Sequence, residues 1–433
     1  MKTSSMIITI IAVIGIVSAG MLIVSFYQPG KDTADQENNN DTNLTPDVNF
    51  STDTTFHESA NTFAFHLLKE FNTNTDYQTN AFFSPYSIFT ALAMTYEGSL
   101  SNTAHEMAET LNIPQNNETF HQYVSNLYTT LNDNTDYNIS TANALWIKEN
   151  YPLLDDYLNT VETYYHAEST PIDYSNPSNA ADIINSWVEN KTNNLIKDLI
   201  SPDNIDPALT RLILTNAIYF KGIWTVQFDE ENTTDRPFNL ASDETIEVET
   251  MVLENTENRF NYTETDQVQL LQLPYKGDDL SMIILLPKEE ESLSSIISDL
   301  TEQSYYEWLD EMREQKVDIF LPRFNVTTPQ YQIVEMLMNL GIQDAFTYDA
   351  DFSGITGNTD LFIKDVLHKG FISVNEEGTE AAAATGVVMD LKSAPGPGSE
   401  PIVFDCDHPF LYLIQHQETG TILFIGTMDN PNA

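Results

Sequence analysis

The chain has 433 residues, with 65 acidic against 18 basic side chains and a formal net charge of −47. A surface that negative repels phosphate backbones and excludes nucleic-acid binding, while an apolar content of 41% supports a sizeable core and excludes disorder on composition alone. The acids are spread along the chain without calcium-loop spacing, so the charge reads as a solubility device rather than a cation site.

Met6 to Tyr27 carries no charge and has the length of a membrane span. Val17-Ser18-Ala19 offers a cleavage site, so residues 1–27 read as a signal peptide or an N-terminal membrane anchor. Either reading puts the chain outside the cell, secreted or held at the surface. Gln28 to Thr55 is polar and rich in Asn, Asp and Thr, the composition of a flexible tether. Glycosylation-type triplets begin at Asn40, Asn43 and Asn49, and later at Asn117, Asn138 and Asn261.

Phe56 to Phe71 has the periodicity of an amphipathic helix, with Phe63, Leu67 and Phe71 on one face and Leu68 alongside. Ser84-Pro85 starts a second helix through Ile88, Leu92 and Met94, Ser as cap and Pro in the first turn. Ile139 to Trp146 alternates as a strand, and Asn185 to Ile200 reads as a helix carrying Trp187, Val188, Leu195 and Leu199. Leu212 to Trp224 is a long apolar strand whose central Asn216 needs a partner if buried. From Val268, two apolar runs flank Lys276-Gly277-Asp278-Asp279, a hairpin signature. Ser292 to Met312 reads as helix, Val317 to Phe324 as strand, Ile333 to Leu340 as a helix stopped by Gly341, and Asp351 to Ile355 as a turn. Leu361 to Val374, Pro401 to Ile414 and Thr421 to Met428 complete the strands. Cys406, the lone cysteine, forms no intramolecular disulfide and reads as a buried structural thiol.

Val374 to Ser393 stands apart. As a strand it would carry Thr379, Ala381, Ala383, Thr385, Val387, Met389 and Leu391 on an uncharged face, with Glu380 and Asp390 on the other. The four alanines Ala381, Ala382, Ala383 and Ala384 favour helix, and SAPGPGSEP beyond is loop chemistry. No side chain near its start is large enough to block entry into a sheet. Lys392 is the only Lys or Arg between Gly370 and Ala433, so a protease requiring a basic residue has one place to cut there.

The chain carries no Gly-x-Ser-x-Gly, HExxH or P-loop pattern. Cys406 and His408, two apart on an expected strand, are too few for a zinc site and lack an oxyanion hole. The expectation is a protein that is not an enzyme and uses no cofactor or metal.

The hinge Glu376-Glu377-Gly378-Thr379, the alanine run, NAFFSPYSI, NSWVENKTNNLIKDLI and LILTNAIYFKGIW resemble, in order, the signatures of the serpins, over about residues 56 to 433. The resemblance implies a mixed α/β fold of three β-sheets with surrounding helices and an exposed reactive loop, in a domain at 56–433 after the tether at 28–55. It implies a suicide-type inhibitor of serine proteases. The target attacks the bait bond Lys392–Ser393, the cleaved loop enters the central sheet, and about 15 residues at ~3.3 Å each carry the acyl-enzyme ~50 Å. The hinge would be Glu376, Glu377, Gly378, Thr379, Glu380 and Ala381 to Ala384. Ser84, Ser87, Asn216 and His368 would form the sheet-opening region, with Asn216 partnered by the other three. Glu376, Arg323 and Trp224 would form a latch at the strand top.

Lys392 implies a trypsin-like partner, with subtilisin-like or chymotrypsin-like proteases cutting after Leu391 or Met389 as alternatives. The segment from Ser393 to Asp407-His408-Pro409-Phe410 is longer than usual for the family, and counting back from that motif puts the bond near Gly398. The expected protein is a monomer that meets the membrane only through an uncleaved N-terminal segment. The alternative is a non-inhibitory serpin acting as a cell-surface binding or chaperone protein.

Overall fold

A run such as Met21-Leu22-Ile23-Val24, apolar at every position, suits any place buried on all sides: a bilayer, or a strand covered on both faces. In the structure it is a strand. The structure, a computed structural model, describes residues 16–28, 56–74, 79–113, 117–132, 137–254, 257–288, 291–378 and 401–433. Ile16–Tyr27 lies in the middle of a seven-stranded sheet, between the strands Thr210–Gly222 and Phe362–Val374 and antiparallel to both. Residues 16–27 of the apolar run are thus a strand of this sheet. Among the described residues no helix is long and apolar enough to cross a membrane.

The order across that sheet is Phe324–Thr327, Phe362–Val374, Ile16–Tyr27, Thr210–Gly222, Asn138–Lys148 and Ala167–Ile172, with the short Tyr331–Gln332 also on Phe362–Val374. A second sheet runs Arg313–Gln315, Phe260–Glu264, Val268–Pro274, Leu280–Pro287, Phe410–His416, Ile422–Met428 and Phe82–Phe83. A third has Ile402–Asp405, Val317–Pro322, Thr245–Leu253 and Thr234–Asn239. This is the mixed α/β, three-sheet architecture expected.

The two faces of the N-terminal strand enter different cores. Leu22, Val24 and Phe26 join the main core, where Phe26 meets Phe352 edge-on at 5.1 Å. Met21 and Ile23 join a second cluster that contains Ile184 and Val188 of the helix Pro177–Lys191. Beneath the sheet, Pro85–Tyr96 is a helix capped by Ser84, whose side chain accepts from the Ser87 N–H, and it is buried from Pro85 to Thr95.

Several boundaries differ from the sequence reading. The expected helix over 185–200 instead spans Pro177–Lys191, started by Asn176 as cap and Pro177 in the first turn. Asn193, Asn194 and Asp198 adopt left-handed backbone and prevent its continuation. Ser292 to Met312 divides into Leu293–Asp299 and Glu302–Glu311, because Thr301 caps the second helix. Val317 to Phe324 splits at Arg323. The expected strand Pro401 to Ile414 contributes Ile402–Asp405 to one sheet and Phe410–His416 to another. Cys406 and His408 therefore lie in a crossover rather than on one strand face, and burial pushes the Cys406 thiol up, as suits a structural residue.

Candidate functional site: the strand slot and its hinge

The strands Thr210–Gly222 and Phe362–Val374 run parallel to each other and leave between them a slot one strand wide, held by Ile16–Tyr27. At its middle, Leu22 stands opposite His368 on one side and Asn216 on the other. All three residues are fully buried. The Ser84 backbone N–H donates to His368 Nε2 at 3.2 Å, and the Ser84 hydroxyl donates to the Leu423 carbonyl at 2.7 Å. His368 is thus joined directly to Ser84, and Ser87 to Ser84 through its backbone N–H. Asn216 is not joined to them: its Nδ2 donates to Asn143 Oδ1 at 2.6 Å, and Leu22 separates it from His368.

Since Nε2 accepts, the neutral ring carries its proton on Nδ1. Burial drives the His368 pKa down to about 3, with the Met21 backbone opposing the shift. His368 Nδ1 nonetheless forms no hydrogen bond of acceptable geometry, and neither does Asn216 Oδ1 or the buried Ser25 hydroxyl within the inserted strand. A buried polar atom left unpaired costs about 1–3 kcal/mol. The slot therefore holds its occupant with apolar packing while stranding a donor on one side and an acceptor on the other.

The far end of the N-terminal strand is clasped by polar contacts. The Tyr27 hydroxyl donates to the Asn204 carbonyl at 2.6 Å and accepts from Lys364 Nζ at 3.2 Å. Arg211 Nε donates to Gln28 Oε1 at 2.7 Å, and Gln28 Nε2 donates to Asp360.

At the other end of Phe362–Val374 the chain turns through Asn375 to Gly378. Trp224 Nε1 donates to the Asn375 carbonyl at 3.0 Å, and its ring stacks on Tyr275 at 4.6 Å. Glu376 is buried; Oε1 accepts from the Thr233 hydroxyl at 2.7 Å and lies 3.9 Å from Arg323 Nη1, which is also 4.0 Å from Glu249. Glu376 and Arg323 approach one another, but the short contact of Glu376 is to Thr233, and Trp224 engages the neighbouring Asn375 and Glu377 carbonyls rather than either side chain. The Phe228 N–H donates to the Glu376 carbonyl at 3.0 Å, and the Trp224 N–H to the Glu377 carbonyl at 3.3 Å. Gly378 has φ +70°, and a Cβ there would lie 2.4 Å from the Trp224 nitrogen, so both conformation and space demand glycine.

Sequence reasoning missed Asn143, Thr233 and Tyr275. Asn143 carried a signal: like Asn216, it is a polar residue followed by an apolar run, here Ala144 to Ile147. Thr233 and Tyr275 carried none, since their roles come from crossings remote in sequence. The remaining hinge residues Thr379, Glu380, Ala381, Ala382, Ala383 and Ala384, and the bait residues Lys392 and Ser393, lie outside the described residues. Among the described residues no group of three or more His, Cys, Asp or Glu could hold a metal ion.

The profile of the family Serpin (serine protease inhibitor) matches residues 58–431. The chain is 42% identical over 374 residues to an uncharacterized serpin-like protein of Thermococcus kodakarensis, covering 86% of this chain and 84% of that protein. It is 41% identical over 381 residues to Serpin B6 of Macaca fascicularis, covering 86% and 99%. It is similar to the crystal structure of native protease nexin-1 with heparin, with a TM-score of 0.75 and 29% identity over 87% of this chain and 99% of that one. With a match over most of its length, the three-sheet architecture and the strand slot, the chain belongs to the serpin family.

Proposed function

We propose that this chain inhibits serine proteases as a suicide substrate. The protease serine oxygen attacks the Lys392 carbonyl, an ester forms, and the bond to Ser393 breaks. The freed loop then enters the slot and carries the esterified protease away before water can hydrolyse it. One observation carries this reading. Phe362–Val374 runs into a turn at Glu376–Gly378, and a segment returning from that turn would run antiparallel to it, the direction in which the slot accepts a strand. The uncharged face from Thr379 to Thr385 supports entry, because an unpaired charge buried there would cost several kcal/mol. Lys392 favours a trypsin-like target, with subtilisin-like and chymotrypsin-like proteases as alternatives.

A second reading, a non-inhibitory serpin that binds a partner at the cell surface, is favoured by the fact that residues 16–27 fill the slot. The two readings part on one experiment. The full chain and its Val24→Asp variant, which puts a carboxylate between Leu214 and Val366, are mixed with trypsin and separately with subtilisin. A denaturant-stable adduct with release of a peptide beginning at Ser393 supports the inhibitor. Clean cleavage without adduct in both forms supports the binding protein.

A further inference from the structure

We propose that the slot is a strand-binding site whose resident ligand is the chain's own segment 16–27, and that this occupancy holds the protein in a state unable to take in its reactive loop. The inference rests on the inhibitor reading above and adds its regulation.

Three observations carry it. First, the occupant is matched to the site. It pairs with both neighbours from Val17 to Tyr27, fills the main core with Leu22, Val24 and Phe26, and fills the cluster beneath Pro177–Lys191 with Met21 and Ile23. Its end is secured through Tyr27 and Gln28 to Asn204, Lys364, Arg211 and Asp360. A loop that must form the same backbone bonds cannot enter while this strand stays.

Second, the site shows what it would do when empty. Asn216 leaves its Oδ1 unused, and His368, whose Nδ1–H has only a poorly aligned approach to the Met21 backbone, is held two strand spacings away, roughly 9–10 Å, by Leu22. With the strand withdrawn and its neighbours closed to the ordinary spacing of ~4.8 Å, donor and acceptor meet. The slot thus has a closed form that satisfies both atoms and an occupied form that leaves Asn216 Oδ1 unpaired and His368 Nδ1 poorly paired, which is how a fold can hold two states of similar energy.

Third, the occupant is separable. In sequence, Lys2 and Lys31 are the only Lys or Arg residues before Lys69, and they stand on either side of the apolar run. A protease with the specificity implied by Lys392 could therefore sever the strand from the domain at Lys31.

The test uses the full chain with Lys31→Gln, so that trypsin leaves the strand attached. Two cysteine pairs are introduced separately, Ile23→Cys with Leu367→Cys and Val24→Cys with Val366→Cys. Each joins register partners on adjacent strands. Because antiparallel pairs alternate between wide and narrow, one of the two is the narrow pair, and both fall within disulfide reach. Folding is checked by circular dichroism, and Cys406, being buried, does not compete.

The expected result is that at least one pair oxidises in the folded protein and that the locked form gives no trypsin adduct. Reduction should restore the level of the Lys31→Gln chain, and Val24→Asp in the same background should give at least tenfold more adduct than that chain. Failure of both pairs to oxidise in folded protein overturns the proposal, as does adduct in the locked form at the level given by Val24→Asp. If Val24→Asp is cleaved at Lys392 with no adduct in any form, the inhibitor reading fails and this proposal falls with it.

Discussion

Asn216 and His368 face one another across Leu22, each fully buried and each with one polar atom unpaired. Burial holds the ring neutral, against the Met21 backbone, and its Nε2 accepts from Ser84. Its folded pKa of about 3 is below the ordinary 6.5, so the fold favours the neutral form. This contribution is intact above pH 6.5 and is lost as pH falls from 6.5 toward 3, at a rate of up to about 1.4 kcal/mol per pH unit. His368→Gln should flatten the acid limb of the stability curve measured by urea unfolding. NMR titration of His368 should show a ring that stays neutral at pH 5 in the full chain and titrates closer to 6.5 in Val24→Asp.

Glu376 and Arg323 are 3.9 Å apart, and Arg323 is about one-third exposed. Such a pair contributes about 0–1 kcal/mol, whereas the buried Glu376 oxygen makes a 2.7 Å bond with Thr233. Thr233→Ala should therefore destabilise by about 1–2 kcal/mol, more than Arg323→Ala does. Chemical denaturation of the two variants checks the order; an equal or larger effect at Arg323 would show that the ion pair dominates.

Gly378→Ala should lower stability by about 1–3 kcal/mol, because it places a Cβ against the Trp224 backbone in a left-handed conformation. The turn can relieve the clash only by moving away, so Trp224 should lose its bond to Asn375 and its stacking on Tyr275. Tryptophan fluorescence should shift to the red. An unchanged spectrum and melting temperature would show that the turn does not press on Trp224.

His408 bridges two acceptors, with Nδ1 2.7 Å from Asp407 Oδ1 and Nε2 2.7 Å from the Pro287 carbonyl. Burial lowers its pKa, but the bonds to Asp407 and Pro287 outweigh burial, and the folded value is raised. Its contribution is fully present below pH 6.5 and is lost as pH rises through the folded value. Melting temperatures from pH 5 to 9 should fall more steeply for the parent chain than for His408→Gln over that window. Parallel curves would contradict the assignment.

Much of this architecture was legible because it rests on local chemistry. Ser84-Pro85 announces a capped helix, Lys276 to Asp279 announces a hairpin with Gly277 and Asp278 at positive φ, and Gly341 stops a helix with φ +123°. Three features were not legible, each for a physical reason. An uncharged apolar run fits a bilayer and a doubly covered strand equally, so Ile16–Tyr27 could not be assigned from composition. A continuous strand reading of 401–414 could not reveal that Asp405 and Phe410 belong to different sheets. The partner of Asn216 was expected among Ser84, Ser87 and His368 and found at Asn143, because the intervening Leu22 comes from a segment that sequence alone placed elsewhere.

The central claim is that a cleaved loop enters the slot with a protease still attached. Its most direct measurement is the intact mass of the trypsin reaction with the Val24→Asp chain, followed by peptide mapping of the adduct. The account predicts a denaturant-stable species joining trypsin's active serine to Lys392 through an ester, together with a released peptide from Ser393 to Ala433. Free trypsin and a chain cut at Lys392, with no ester-linked species at any time, would contradict it.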